Sequence, residues 1–129
     1  MLPFHNFTSK AREAIRKAHE FVIERGQNQV SPTHLLASLL FQEENLVVPM
    51  IEKLGVDTNL LVDYLMNTIE APEGGTVLTP SYQIYLTQDL VRVMETAAKV
   101  AQYLKDEFIS TEHLFLALLE VPSHARDVL

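Results

Sequence analysis

Residues 31–41 read SPTHLLASLLF and residues 110–120 read STEHLFLALLE, so one pattern returns after 79 positions. The same shift aligns residues 7–41 with residues 86–120 without a gap. The aligned identities are few, namely Thr8/Thr87, Ala18/Ala97, Ser31/Ser110, His34/His113, Leu35/Leu114, Leu39/Leu118 and Leu40/Leu119. The apolar positions coincide much more often. Because a shared apolar pattern encodes a shared fold, the chain is predicted to use one structural unit twice.

Each copy is predicted to begin with an amphipathic helix followed by a buried one. The first helix opens on a threonine, Thr8 or Thr87, that can cap it. Its apolar stripe has helical spacing and consists of residues 7, 11, 14, 15, 18 and 22 in one copy and 86, 90, 93, 94, 97 and 101 in the other. Ser31 and Ser110 are expected to cap the second helix, which is apolar nearly all round.

Two more helices are predicted in the first copy. One covers about residues 46–54, and the other covers about 58–69, with Asp57 as its cap. The apolar residues expected to face inward on the latter are Leu60, Leu61, Tyr64, Leu65 and Ile69. The second copy ends before a counterpart of this helix, which indicates an excised domain or a shortened chain.

The predicted fold is all-α, with two pseudo-symmetric four-helix repeats packed into one globular domain and the second repeat truncated. Repeat one covers residues 7–69, a linker covers 70–86, and repeat two covers 87–129. The linker contains breaker runs at 71–75 and 79–81. Tyr82, Ile84 and Leu86 alternate, which predicts a short extended segment too weakly patterned to form a sheet.

Composition narrows the classes of function. The 129 residues are 47% hydrophobic, enough for one continuous core. The net charge of −7 divides into −3 for residues 1–70 and −4 for residues 71–129, which argues against nucleic acid as a partner. The chain has no cysteine, no signal peptide and no apolar run of membrane-spanning length, so a cytoplasmic protein without a membrane partner is expected.

The motifs of common enzyme classes are missing from the sequence. The four glycines form neither a phosphate-binding loop nor a dinucleotide-binding turn, and no serine lies in a G-x-S-x-G motif. His19-Glu20 begins like a zinc-protease motif, but Ile23 stands where the second histidine is required. No enzyme activity, metal or cofactor is therefore predicted for this domain.

Two recurring polar features have structural interpretations. His34 and His113 each follow a capping serine by three residues, which predicts a packing role or a hydrogen bond in the first helical turn. The pairs Glu43-Glu44 and Asp106-Glu107 lie at predicted turns, where solvation explains them.

The positions at which the copies differ point to a site on repeat two. Gln27 corresponds to Asp106 and Thr33 to Glu112, so repeat two gains two carboxylates. Glu24 and Arg25 correspond to the apolar residues Tyr103 and Leu104. The changes predict a partly apolar patch with an acidic edge, although Glu112 could equally serve only to complement the positive end of its helix dipole.

Five segments, in this order and spacing, resemble the N-terminal Clp repeat domain of Clp-type AAA+ unfoldases, most closely that of ClpB-type disaggregases. They are FTSKAREAIRKAHEFV (7–22), VSPTHLLASLL (30–40), VVPMIEKLGVD (47–57), TQDLVRVMETAAKVAQ (87–102) and DEFISTEHLFLALL (106–119). The resemblance implies a monomeric domain held flexibly on a hexameric ATPase ring. Such a domain contacts unfolded or aggregated polypeptide during the stress response, while ATP and Mg belong to the parent ATPase.

The resemblance also implies site residues. In ClpB-type domains an apolar groove edged by polar residues contacts the substrate, and the matching edge residues here are Thr8, Asp106 and Glu112. Candidates for the groove wall are Thr96, Val100, Tyr103, Leu104 and His113.

Two related branches provide the alternative interpretation. ClpC-type domains read phosphorylated arginine through a glutamate in each repeat, but Pro32-Thr33-His34 departs from that pattern in repeat one. ClpA-type domains dock adaptor proteins, and the sequence leaves an adaptor open as a partner.

Overall fold

The computed structural model describes residues 7–27, 29–42, 47–70 and 85–123. Six helices dominate these residues, so the prediction of an all-α fold is confirmed. The elements in chain order are α1 (Ser9–Glu24), β1 (Gln29–Val30), α2 (Pro32–Leu40), α3 (Val47–Lys53), α4 (Thr58–Glu70), β2 (Tyr85–Leu86), α5 (Gln88–Tyr103) and α6 (Thr111–Glu120). The pair Glu43-Glu44 and most of the predicted linker lie outside the described residues.

The helices α1 and α5 are built alike. Each has 16 residues, and each opens on a threonine whose hydroxyl accepts a first-turn N–H at 3.1 Å, from Ala11 in α1 and from Leu90 in α5. The predicted stripe of α1 is buried throughout, and that of α5 is buried except at Leu86, which is half-buried. The 79-residue repeat therefore has a structural counterpart in these two helices.

The helices α2 and α6 form the centre of the core. Every residue of α2 is buried, because the helix packs against α1 on one side and α4 on another. On α6, Leu116 and Leu119 are only half-buried, whereas their counterparts Ala37 and Leu40 in α2 are buried. In repeat one α2 also packs against α4, for which the described part of repeat two contains no equivalent.

The short helix α3 leads through a tight turn into α4. Gly55 lies in the turn with φ of +83°, a conformation that glycine adopts readily. The Asp57 carboxylate then accepts the first-turn N–H groups of Asn59 at 2.9 Å and Leu60 at 3.3 Å, as predicted for the cap of α4. The turn and the cap together fix the direction in which α4 leaves α3.

The inward face predicted for α4 was partly wrong. Leu61 and Leu65 are buried as expected, but Leu60 is 67% exposed and Tyr64 is 49% exposed. Only one face of α4 is covered by α2 and α3, and the row of Leu60 and Tyr64 lies about 100° around the helix from the buried row. The predicted inward position of Ile69 lies outside the described side chains.

The two repeats exchange short extended segments. β1 and β2 pair in parallel, with Val30 opposite Leu86, so a two-residue ladder forms where no sheet was expected. An isolated parallel bridge pairs Phe7 with Ile109. Under the 79-residue shift Phe7 corresponds to Leu86 and Ile109 to Val30, so the two pairings are equivalent. The entry into the first helix of each repeat therefore pairs with the segment before the second helix of the other repeat.

Candidate functional site

All of the predicted site residues except Thr8 lie on α5, on α6 or in the connection between them. Tyr103 is 84% exposed, Leu104 is 51% exposed, and Phe108, four residues further on, is 49% exposed. Three large apolar side chains within six residues therefore face solvent beside Asp106, whose side chain is 51% exposed. We refer to Tyr103, Leu104, Asp106, Phe108 and Glu112 as the α5–α6 surface.

Asp106 is held by a series of hydrogen bonds that runs through His113 to Ser110, the cap of α6. The backbone N–H of Ser110 donates to Nδ1 of His113 at 2.8 Å, and the Ser110 hydroxyl lies 3.0 Å from the same nitrogen. Because an N–H can only donate, Nδ1 must be the acceptor, and the ring carries its proton on Nε2. Nε2 then donates to Oδ2 of Asp106 at 2.9 Å. His113 is only 5% exposed, so a buried donor fixes a partly exposed carboxylate.

Repeat one contains the same series of hydrogen bonds, but the last acceptor is the neutral amide of Gln27. The Ser31 N–H donates to Nδ1 of His34 at 3.1 Å, and Nε2 lies 3.2 Å from Oε1 of Gln27. Packing and a first-turn hydrogen bond were the two roles predicted for these histidines, and in the structure both rings are buried and both make the hydrogen bond. Burial of the ring, and secondarily the positive charge of Arg25, lower the pKa of His34 from 6.5 to about 4.

The serine, histidine and aspartate of repeat two are connected in the manner of a hydrolase triad, but the arrangement is that of a helix cap. Nδ1 of His113 already accepts the backbone N–H of Ser110, so it is not reserved for the serine hydroxyl. The same connections occur in repeat one, where Gln27 replaces the carboxylate and cannot serve as the acid of a triad. The connections are therefore explained by capping, which both repeats require.

Thr8 reaches this region through the exchange of extended segments. Its backbone N–H donates to the carbonyl of Ile109 at 2.9 Å, directly before the cap of α6. Its hydroxyl accepts the N–H of Ala11, so the side chain also serves as the cap of α1. Glu112 lies in the first turn of α6 and is half-buried. Thr8, Asp106 and Glu112 therefore all belong to segments that meet at the start of α6.

The other wall candidates differ in exposure. Thr96 and Val100 lie one turn apart on α5 and are both half-buried. They neighbour Ala97 and Ala101 of the buried stripe, so they stand at the border between the core and solvent. His113 is buried and its ring nitrogens contact Ser110 and Asp106, so it does not form an exposed part of the predicted groove wall.

Two residues of this region were missed by the sequence analysis. Phe108 corresponds to Gln29 in repeat one, so the same comparison of copies would have found another apolar gain. Lys105 has φ of +61°, the left-handed conformation that favours glycine, and its counterpart Gly26 has φ of +66°. Repeat two therefore keeps the turn of repeat one but builds it with a lysine beside Asp106.

An open apolar depression of about 460 Å³ lies in repeat one. Its lining residues come from the α3–α4 turn and from α4, and they are Val56, Asp57, Leu60, Leu61 and Tyr64. None of the predicted site residues takes part in it. The depression provides an internal comparison for the α5–α6 surface, because both expose large apolar side chains.

The described residues contain neither a metal-binding cluster nor a membrane-spanning helix. Within residues 7–27, 29–42, 47–70 and 85–123, no three His, Asp or Glu side chains are grouped so as to hold a metal ion. None of the helices in these ranges is both long enough and apolar enough to cross a membrane. What the α5–α6 surface offers is exposed apolar area beside carboxylates.

These features describe a duplicated helical domain with one modified repeat, and comparison with known proteins gives the class. Residues 6–129 match the family described as the Clp repeat (R) N-terminal domain, and the chain belongs to that family. The chain is 33% identical to the chaperone protein ClpB of Bacteroides thetaiotaomicron over 129 residues, which is 98% of this chain and 14% of that protein. It therefore spans about one seventh of the length of this relative.

Solved structures share the fold at lower identity. The N-terminal domain of Hsp104 from Candida albicans has a TM-score of 0.80 and 21% identity, covering 95% of this chain and 79% of that one. A ClpV N-domain in complex with a VipB peptide has a TM-score of 0.75 and 19% identity, covering 95% of this chain and 76% of that one. Because the identity to both structures is low, the likeness shows only that this chain has the same fold.

Proposed function

We propose that this chain is the polypeptide-binding N-terminal module of a ClpB-like ATP-dependent disaggregase, and that it contacts unfolded or aggregated clients through the α5–α6 surface. The observation that carries the proposal is the combination of Tyr103, Leu104 and Phe108, all exposed, with an anchored and half-exposed carboxylate at Asp106. The family and the ClpB relatives support the same class of function.

The proposed mode of binding follows from the chemistry of this surface. Burial of a few apolar side chains contributes about 25 cal/mol per Å², which gives weak contacts that require no particular sequence. Weak contacts favour handover of a client to an ATPase, which we expect in the parent protein together with ATP and Mg. Asp106 and Glu112 favour apolar segments that carry Lys or Arg, and salt is expected to weaken this preference.

Adaptor docking is the alternative, because a relative of this fold binds a defined peptide, as the complex of the ClpV N-domain with a VipB peptide illustrates. A paired reader of phosphorylated arginine is not supported. The first-repeat counterpart of Glu112 is Thr33, which is neutral and only 6% exposed.

The test is an NMR titration of the 129-residue chain with two unfolded proteins of opposite charge. Lysozyme, reduced and alkylated with iodoacetamide, supplies a basic chain, and α-lactalbumin treated in the same way supplies an acidic one. Amide shifts are expected at Val100, Asp106 and Glu112, with tighter binding of the basic chain at low salt. Shifts confined to repeat one would refute the assignment of the site.

A matched pair of variants isolates the apolar contribution. Phe108→Ser and Leu60→Ser each remove one exposed apolar side chain, from the α5–α6 surface and from the depression in repeat one, respectively. We expect Phe108→Ser to weaken binding of alkylated lysozyme, while Leu60→Ser binds like the wild type. Equal loss in the two variants would indicate non-specific hydrophobic contact.

A further inference from the structure

We propose that His113 is a positioning residue that turns the cap of α6 into a holder for the client-binding carboxylate of Asp106; this inference rests on the proposed function. The argument starts from the capping motif that the two repeats share. In both repeats a histidine accepts the N–H of the capping serine and presents Nε2 to a side chain seven residues earlier in the chain.

At the position seven residues before the histidine, Gln27 or Asp106, the cap requires only a hydrogen-bond acceptor. Gln27 meets it with a neutral amide oxygen at 3.2 Å from the ring of His34. Asp106 meets it with one carboxylate oxygen at 2.9 Å from the ring of His113. Since a neutral acceptor is sufficient in repeat one, the negative charge at Asp106 exceeds what capping requires.

The arrangement also leaves one oxygen of Asp106 unused by His113. The contact from Nε2 is made to Oδ2, while the side chain as a whole is half-exposed. A carboxylate held at one oxygen by a buried donor has lost most of its rotational freedom before a client arrives. Such preorganisation reduces the entropy cost of binding a backbone N–H or a cationic side chain at the other oxygen.

The test uses His113→Asn and, as a matched control, His34→Asn. The Asn carbonyl oxygen is attached to Cγ, as Nδ1 is in histidine, so it can still accept the serine N–H, but its side chain does not extend to the position of Nε2. We expect His113→Asn to bind alkylated lysozyme roughly fivefold more weakly, because a hydrogen bond that orients a charged group is lost. His34→Asn is expected to bind like the wild type, although it carries the same change in the same cap.

A double-mutant cycle separates positioning from a general structural effect. In an Asp106→Ala background there is no carboxylate to position, so adding His113→Asn should cause no further loss of affinity. An undiminished loss in that background would overturn the inference, as would wild-type binding by His113→Asn. If Asp106→Ala and Phe108→Ser both bind like the wild type, the proposed function itself fails, whatever His113→Asn does.

A measurement on the unmodified chain guards against failure of the variant to fold. Long-range proton–nitrogen NMR spectra distinguish the two neutral tautomers of a histidine ring. The inference requires His113 to carry its ring proton on Nε2, and a ring proton on Nδ1 would overturn it.

Discussion

Replacing His34 with Asn should remove a pH dependence of stability that this histidine imposes on the fold. In the folded chain Nδ1 of His34 accepts the Ser31 N–H, and Nε2 lies against Gln27, so the neutral ring fits the site. Burial of the ring and the charge of Arg25 lower its pKa to about 4. In the unfolded chain the pKa of His34 returns to its ordinary value of 6.5.

The sign and size of the effect follow from proton linkage. Between these two pKa values the unfolded chain binds a proton that the folded chain does not, so stability is lost as the pH falls. The full difference of pKa corresponds to about 3 kcal/mol, and the loss is complete only once the pH is below the folded pKa. On going from about pH 7.5 to about pH 5, the loss expected from His34 alone is about 2 kcal/mol.

The assay is urea unfolding followed by circular dichroism at these two pH values, for the wild type and for His34→Asn. The variant keeps an acceptor for the Ser31 N–H but has no titrating ring, so its pH-dependent loss should be smaller by about 2 kcal/mol. Any cost of the substitution that is independent of pH cancels in this comparison. Equal losses in the two proteins would refute the reasoning, and so would a His34 ring that titrates near its ordinary pKa in an NMR titration.

Two further predictions concern positions where neighbouring or equivalent residues have different environments. Lys105 and Gly26 both have positive φ, so Lys105→Gly should stabilise the chain by about 1 kcal/mol and Gly26→Ala should destabilise it by a similar amount. Thermal melting measures both effects, and melting temperatures equal to that of the wild type for both variants would contradict the prediction. Leu61 is buried and Leu60 is exposed, so Leu61→Ala should lower the free energy of unfolding by about 2–5 kcal/mol, whereas Leu60→Ala should change it by less than about 0.5 kcal/mol. Urea unfolding measures both values, and equal losses in the two variants would contradict the burial of Leu61 on α4.

Helix positions and most buried faces could be predicted from the sequence because they rest on local periodicity. The stripe of α1, including Ala14 and Val22, is buried as predicted. The exposed row of α4 could not be predicted in the same way. Leu60 and Leu61 are equally apolar, and only the direction from which α2 approaches decides which of them is covered. Periodicity indicates a helix, but a wide apolar face leaves its orientation undecided.

The pairing of extended segments between the two repeats could not be predicted from the sequence pattern either. A two-residue parallel ladder such as that of Val30 and Leu86 carries no period that could be detected. Its consequence for the candidate site is direct, because the pairing of Phe7 with Ile109 brings Thr8 of repeat one to the start of α6. Without that pairing, Thr8 is associated with the site only through the family resemblance.

For the candidate site, comparison of the two copies was more informative than motif searching. It identified Asp106, Glu112, Tyr103 and Leu104 as changes of chemistry at equivalent positions. It could not reveal that Asp106 is anchored by His113, because that contact joins side chains seven residues apart across the turn between α5 and α6.

The duplication explains how one repeat can acquire a charged surface while the fold is retained. The capping chain needs a serine, a histidine and an acceptor seven residues before the histidine, and Gln27 shows that the acceptor need not be charged. Replacement of such an acceptor by aspartate keeps the hydrogen bond and adds a carboxylate that stays half-exposed. The charge can therefore change at this position without loss of the cap, provided that His113 remains a donor. Under the proposed function, client binding depends on Asp106, while the cap of α6 depends on the serine and the histidine.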